Sequence, residues 1–355
     1  MNNLEQGING TAAKAPYHAI QHNPENIQLT AAEIGQLWTM YLAESMGACM
    51  LPYFAATSKD PDIHAVLQFA LDASARHVQT ITAIFEAAYF PIPHGFRDED
   101  FDVSAKPLYS ETFMLLYTTL MAKYAILGFG LAYTSSSRPD VRQFFEGCLN
   151  DSTAISKKGH AVLLAKGLLP RAAYVPIPDR VEYTHDVQGF YKGLIGDKRP
   201  LNALEIDHLF VNIISRSLRN TLTTGFEQTT KSKLIKDYLS RGRLINDKQI
   251  DILSQLLEDA DLSTLPNYDH LVTESLESPF SDKLILFHFT TMTANAIAAG
   301  GLALSNSTRS DIILTFGRFI AELGDLAKDG VNLMIKQGWL ERVPEAANRK
   351  ELSTQ

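Results

Sequence analysis

Glu44, His77, Lys123 and Asp151 are the residues whose types could do chemistry together. Carboxylates, an imidazole and an ammonium are the groups from which metal sites and acid–base sites are made. Each falls near mid-height of a different predicted helix. A di-metal centre in such a quartet needs a carboxylate on the first and third helices and Glu-x-x-His on the second and fourth. That set is incomplete here. Three residues before His77 stands Ser74, three after Asp151 stands Ala154, and Lys123 puts a cation where a ligand belongs.

The chain writes the pattern twice. LTAAEIGQLWTMYLAESMGACMLPYF from Leu29 and LNALEIDHLFVNIISRSLRNTLTTGF from Leu201 match at Leu29, Ala31, Glu33, Ile34, Leu37, Ser45 and Phe54 when shifted by 172 positions, and Arg138-Pro-Asp140 answers Arg309-Ser-Asp311 at 171. A self-match sustained at one period is the mark of an internal repeat. Under shifts of 172, 172, 172 and 171, the four residues land on Arg216, Gln249, Asn295 and Glu322. The metal-type side chains are lost, but opposite charges persist. Both copies are therefore expected to hold a buried polar layer, in which Lys123 or Arg216 supplies the counter-charge a metal would have given to Glu44, Asp151 or Glu322. No cofactor is expected on this reading.

The rival reading is a three-ligand iron or zinc centre of Glu44, His77 and Asp151, with Lys123 turned away. His288, with Asp325 or Asp329, is a weaker metal candidate, since a lone His on an apolar face is more often a hydrogen-bonded core residue. His18 and His22 have helical ligand spacing, but Pro24 and the absence of an apolar face argue against a helix there. His160, beside Lys157 and Lys158, reads as solvated, and His208 as a surface or cap neighbour. Cys49 and Cys148 sit on apolar faces at different heights and read as buried, unreactive thiols. A small-ligand pocket among Trp38, Tyr41, Tyr117 and Tyr124 is a third possibility; plain core is the commoner use of such residues. Gly-rich phosphate loops, GxSxG and CxxC are absent from the sequence.

The elements that must position these residues are helices. Thr30 and Glu33 form a capping box that starts the first, and Pro52 is expected to kink or end it. Asp60-Pro61 starts the second. The third follows Pro107, and Asp140 opens the fourth, which Gly167 stops. Short connections join helices one to two and three to four, and a long crossover over residues 90–107 joins two to three. The second copy repeats this plan. Four helices can bury apolar stripes that one cannot, and a long two–three crossover is the ferritin-like arrangement. The predicted fold is all-α: two tandem ferritin-like four-helix bundles from an internal duplication, packed about a pseudo-twofold axis. The predicted layout is a flexible arm at 1–28, bundle 1 at 29–169, a Pro/Gly/Tyr-rich strap at 170–200 lying over a bundle surface, bundle 2 at 201–345, and a tail at 346–355.

Bulk composition agrees. The chain has 355 residues, 45% of them hydrophobic, with net charge −8 and two cysteines. That length supports two ordinary domains. The acidic balance and the absence of a basic block argue against nucleic acid. No apolar run of about 18 residues stands out, and the N-terminus lacks a secretory pattern, so neither a membrane nor export is expected.

The stretches LTAAEIGQLWTMYLAESM, FPIPHGF, SPFSDKLILFH and KQGWLERVPEAANRK resemble those of a family of tandem ferritin-like proteins of unknown function from spore-forming bacteria, related to spore-coat protein F. The resemblance implies the fold and a bacterial, sporulation-linked setting. It carries no reaction and no catalytic residues. The expected role is a non-catalytic structural or interaction protein, cytoplasmic and spore-associated, with protein partners or self-association. The alternative is an oxidase-like or metal-handling protein using a site in bundle 1.

Overall fold

The computed structural model describes residues 27–193, 198–264 and 267–352. The His18/His22 pair and most of the arm lie outside these residues. The described residues are helical, with no β-strand among them. Unit 1 comprises α1 (Ala31–Thr57), α2 (Pro61–Ala87), α3 (Glu111–Ser135) and α4 (Pro139–Ala165). A short helix α5 (Val187–Tyr191) precedes unit 2, which comprises α6 (Ala203–Thr229), α7 (Lys233–Glu258), α8 (Asp282–Asn306) and α9 (Ser310–Lys336); α10 (Arg349–Leu352) closes the chain.

The helix ends follow from the sequence. Thr30 and Glu33 form the reciprocal cap of α1, and Asn202 and Glu205 form the same cap on α6. Asp60 caps α2, with Pro61 at the first helical position. Gly167 and Gly338 take positive φ, +68° and +71°, just past α4 and α9, the left-handed geometry that ends helices. Pro52 does not end α1, which continues through it to Thr57. A proline removes a single ladder donor, and the buried Leu51, Tyr53, Phe54 and Ala55 around it hold the last turns in the core.

The same caps set helix direction. Glu33, in the first turn of α1, accepts from the backbone N–H of Ser137 (2.8 Å) and Arg138 (2.7 Å) at the start of α4, so α1 and α4 run parallel. Glu111, in the first turn of α3, accepts from the N–H of Asp60 (2.7 Å) at the start of α2, so α2 and α3 run parallel the other way. Glu205 repeats the first staple on Thr308 and Arg309. The connection between α2 and α3 therefore crosses the full length of the unit.

The two crossovers meet each other. Isolated antiparallel bridges pair Phe101 with Phe280 and Tyr109 with Val272. Residues 101 and 272, and 109 and 280, are equivalent under the repeat, so this is one contact made twice. The hydrogen bonds Asp102 N→Pro279 O and Thr273 N→Leu108 O, both 2.9 Å, form the same kind of pair. A contact that recurs with its partners exchanged defines a twofold relation, here within one chain. Tyr117 and His288 are also equivalent positions. They touch across the seam, Tyr117 Oη to His288 Nε2 at 3.1 Å. One core cluster contains Phe54, Tyr117, Phe226 and Phe289, and so spans both units; two smaller clusters fill the far ends of unit 1 and unit 2.

Two sequence expectations need correction. Tyr174, Val175, Ile177, Val181 and Tyr183 of the strap are exposed, Ile177 to 94%; only its ends engage the body, with Leu168, Leu169 and Ala173 packing on the core. The prolines at 176 and 178 keep the middle extended, and its polar neighbours keep it in solvent. In addition, α3 and α8 are long and apolar enough to cross a membrane by length and composition. In the fold they are the helices of the seam, with about half of each apolar window buried.

Candidate functional site

The centre of unit 1 is a row of charged groups. His77, buried on α2, lies between two carboxylates: Nδ1 is 3.4 Å from Glu44 Oε1 on α1, and Nε2 is 3.2 Å from Asp151 Oδ2 on α4. Arg76 continues the row outward, 3.0 Å from Asp151. Nε2 is within hydrogen-bond distance of Asp151, whereas Nδ1 has only the ion-pair approach of Glu44; carboxylates on both sides favour the protonated ring. Burial pulls the His77 pKa down, but Glu44 and Asp151 outweigh it and hold the pKa above the ordinary value.

Unit 2 keeps the row and changes its charges. Arg216 stands for Glu44, Gln249 for His77, Glu322 for Asp151 and Lys248 for Arg76. Arg216 Nε donates to Gln249 Oε1 (3.1 Å), Gln249 Nε2 donates to Glu322 Oε2 (3.1 Å), and Lys248 lies 3.3 Å from Glu322. The amide fits because one end accepts from a cation while the other donates to a carboxylate. An imidazole would have to accept at one nitrogen to do the same.

Arg216 is not in direct contact with Glu322, as the sequence suggested; Gln249 relays between them. Arg216 is 1% exposed, lies over the Phe319 ring and donates a further bond to Asn212 Oδ1 (2.6 Å). Arg219 is equally buried, lies over Phe289 and donates to Asn246 Oδ1 (2.6 Å). Burial, and then the neighbouring Arg219, pull the Arg216 pKa down to about 9. Burial pulls the Arg219 pKa down to about 10.

Lys123 and Asn295 do not join these rows. Lys123 faces α6 at the seam, in a small cavity with Phe210, Val211 and Ile214. Desolvation lowers its pKa, opposed by the field of Asp207, and no carboxylate lies within ion-pair distance of it among the described residues. The α3-to-α8 register is 171, so the residue equivalent to Lys123 is Ala294. The shift changes within the crossover, before the third helix, and one residue turns a helical side chain by about 100°.

The metal-type residues do not converge. Glu44 and Asp151 lie on opposite nitrogens of His77, so no single ion can reach all three while the ring keeps this position. His288 is fully buried, with Tyr117 at Nε2 and Met46 Sδ at Nδ1, and burial pushes its pKa down to about 3. Asp329, its suggested partner, pairs with Arg241 instead. Among the described residues no group of three or more His, Cys, Asp or Glu is placed to hold an ion. Cys49 and Cys148 are both free and buried; burial pushes the Cys49 thiol up to about 12 and raises Cys148 as well.

A cavity of about 250 Å³ lies beside the unit 1 row, at Tyr117 and Tyr124 of the pocket suggested from sequence but with a different remaining wall. Glu44 and His77 line it, together with Met46, Met50, Met121, Phe129, Tyr117 and Tyr124. Trp38 and Tyr41, grouped with those tyrosines from sequence, belong to a different core cluster. The sequence signal was available: Gly47, Thr118 and Ser152 line the cavity, and their equivalents in unit 2 are Arg219, Phe289 and Leu323, all buried.

The fold and its centres define an all-helical protein built by duplication. Comparison with protein families agrees. The model of the family described as protein of unknown function DUF3231 matches twice, over residues 18–181 and 189–352. The chain belongs to this family and carries two copies in tandem. A comparison with curated proteins finds no match. Among solved structures, a Bacillus halodurans protein described as a candidate spore coat protein aligns at 18% identity over 45% of this chain and 100% of its own, with a TM-score of 0.37.

Proposed function

We propose that this protein is a non-catalytic scaffold: two ferritin-like four-helix bundles joined back to back, in which paired side-chain charges occupy the centres that a di-metal protein gives to ions. The parallel pairing of α1 with α4 and of α2 with α3, and the full-length crossovers, favour the ferritin-like description. The observation that carries the functional reading is the placement of His77. Asp151 takes Nε2 and Glu44 stands 3.4 Å from Nδ1, so the two carboxylates sit on opposite sides of the ring instead of converging on one ion. In unit 2 a buried guanidinium, Arg216, stands where a ligand would be and repels a cation. The role is then structural or interactive, through protein partners or self-association, in the cytoplasm; the sequence resemblance adds the setting of a spore-forming bacterium and an association with its spore. Elemental analysis of protein purified from unsupplemented cells tests it: the expected result is far below one iron or zinc per chain, unchanged in Glu44→Gln. Stoichiometric metal that Glu44→Gln abolishes would establish the rival, a metal-handling protein using Glu44, His77 and Asp151.

A further inference from the structure

A scaffold needs no hole in its core, and yet unit 1 has one, lined by residues smaller than those at the equivalent positions of unit 2. The repeat gives an internal control. Where unit 1 has Gly47, Thr118 and Ser152 against the cavity of about 250 Å³, unit 2 has the larger Arg219, Phe289 and Leu323 at the equivalent positions, all buried. The two units share ancestry, helix lengths and caps, so the difference lies in the side chains facing this one volume. The space is bounded deep inside by Met46, Met50, Tyr117 and Phe129. Its outer rim is exposed Thr39 and half-buried Met40, Ala43 and Gly128 of unit 1, with Thr291 and Asn295 reaching over from α8. An occupant therefore has a route in between α1 and α3.

The wall is apolar with a few polar points, the usual composition of a small-molecule site. Two of those points are buried and unpartnered. Thr118 is 4% exposed and His77 6% exposed, and the Thr118 hydroxyl and His77 Nδ1 have no hydrogen-bond partner, the latter only the off-geometry approach of Glu44. Buried polar atoms without partners are rare and mark a missing group. Methionines add a wall that adapts to ligand shape and favours aromatic rings. The carboxylate of Glu44 on the same wall disfavours an anion.

We propose that the unit 1 cavity is a binding site for an uncharged, mainly apolar small molecule carrying one hydroxyl or carbonyl, which meets Thr118 and the His77 edge. Its size is about ten to fourteen heavy atoms, scaled from a cavity of about 150 Å³ that takes benzene. The duplication has then divided the work: unit 2 filled its centre and became the support, and unit 1 kept its centre open. This goes beyond the scaffold reading, and metal content does not bear on it.

The test is calorimetric and fluorescence titration of the full chain with three probes of one shape: 2-naphthol, naphthalene and 2-naphthoate. The expected result is one 2-naphthol per chain, with affinity at least tenfold better than that of 2-naphthoate. Ser152→Leu, which installs the unit 2 residue, is expected to reduce binding more than tenfold and to raise the melting temperature. Thr118→Val keeps the volume and is expected to weaken 2-naphthol while leaving naphthalene unchanged; it serves alone if the leucine variant does not fold. Absence of saturable 2-naphthol binding to the wild-type chain, or binding that Ser152→Leu and Thr118→Val both leave unaltered, overturns the proposal. Equal affinity for 2-naphthoate overturns the assignment of an uncharged ligand.

Discussion

Glu33 and Glu205 show how much a single side chain can organise. Each caps its own helix and staples it to the start of a second. Burial would raise both pKa values, but backbone N–H bonds at Glu33, and Arg199 followed by backbone N–H bonds at Glu205, outweigh it and lower each to about 2. A pKa depressed in the folded state stabilises above the unfolded value of about 4.5, and that stability is lost as pH falls from there towards 2. Glu33→Gln and Glu205→Gln are each expected to cost about 2–3 kcal/mol at pH 7 and almost nothing near pH 2, measured by urea unfolding. His77 has the opposite sign. Its raised pKa means its contribution is complete below about 6.5 and is lost as pH rises through the folded-state pKa. Lys123 behaves differently again. Sequence reasoning placed it opposite Glu44 and Asp151, where truncation would be costly. Half-buried and without an ion-pair partner, it should tolerate Lys123→Met within about 1 kcal/mol, or gain from it. A loss of about 3 kcal/mol would restore the paired-layer position.

At the scale of elements, the turn chemistry was the legible part. Thr-x-x-Glu before an apolar run, Asp-Pro at α2 and Gly after α4 all have local physical causes that a sequence displays. The drift from 172 to 171 was also visible, but not its location, and that one residue decided which side of α3 and α8 each polar group faces. The strap was misread because apolar content was taken to require cover; here Pro176 and Pro178 hold it extended and wet. The crossover shows what a loop can encode. Gly95 in FPIPHGF has φ +60°, and a Cβ there would meet Ser45 Oγ at 2.5 Å. Its N–H and that of His94 donate to Glu341 (both 2.7 Å), and its carbonyl accepts from Lys283 (2.6 Å), so one glycine ties unit 1 to two parts of unit 2. Gly95→Ala is expected to destabilise by about 2 kcal/mol or more in thermal unfolding. In unit 2, removing Arg219 and removing its partner are not equivalent. Asn246 serves Arg219, Arg216 O and Asn220 at once. Asn246→Ala should cost about 3 kcal/mol or more, whereas Arg219→Met should be close to neutral, because it also removes the buried charge.

At the scale of the molecule, duplication has produced a fixed internal dimer with unlike halves. The largest core cluster draws on both units, so neither half closes its core alone. A single cooperative calorimetric transition is expected for the whole chain, and two resolved transitions would separate the units. The halves share helix ends, directions and the outer ion pair, and differ at the centre, where a carboxylate–imidazole–carboxylate row answers a guanidinium–amide–carboxylate row. That contrast makes the protonation of His77 the most direct test of the account. Nitrogen-15 NMR of imidazole-labelled protein, with His77→Gln used to assign the signal, should show His77 titrating above the free value of about 6.5, with both nitrogens protonated below it. A titration below the free value, or a nitrogen shifted by a bound metal, would contradict the claim that paired side-chain charges fill this centre.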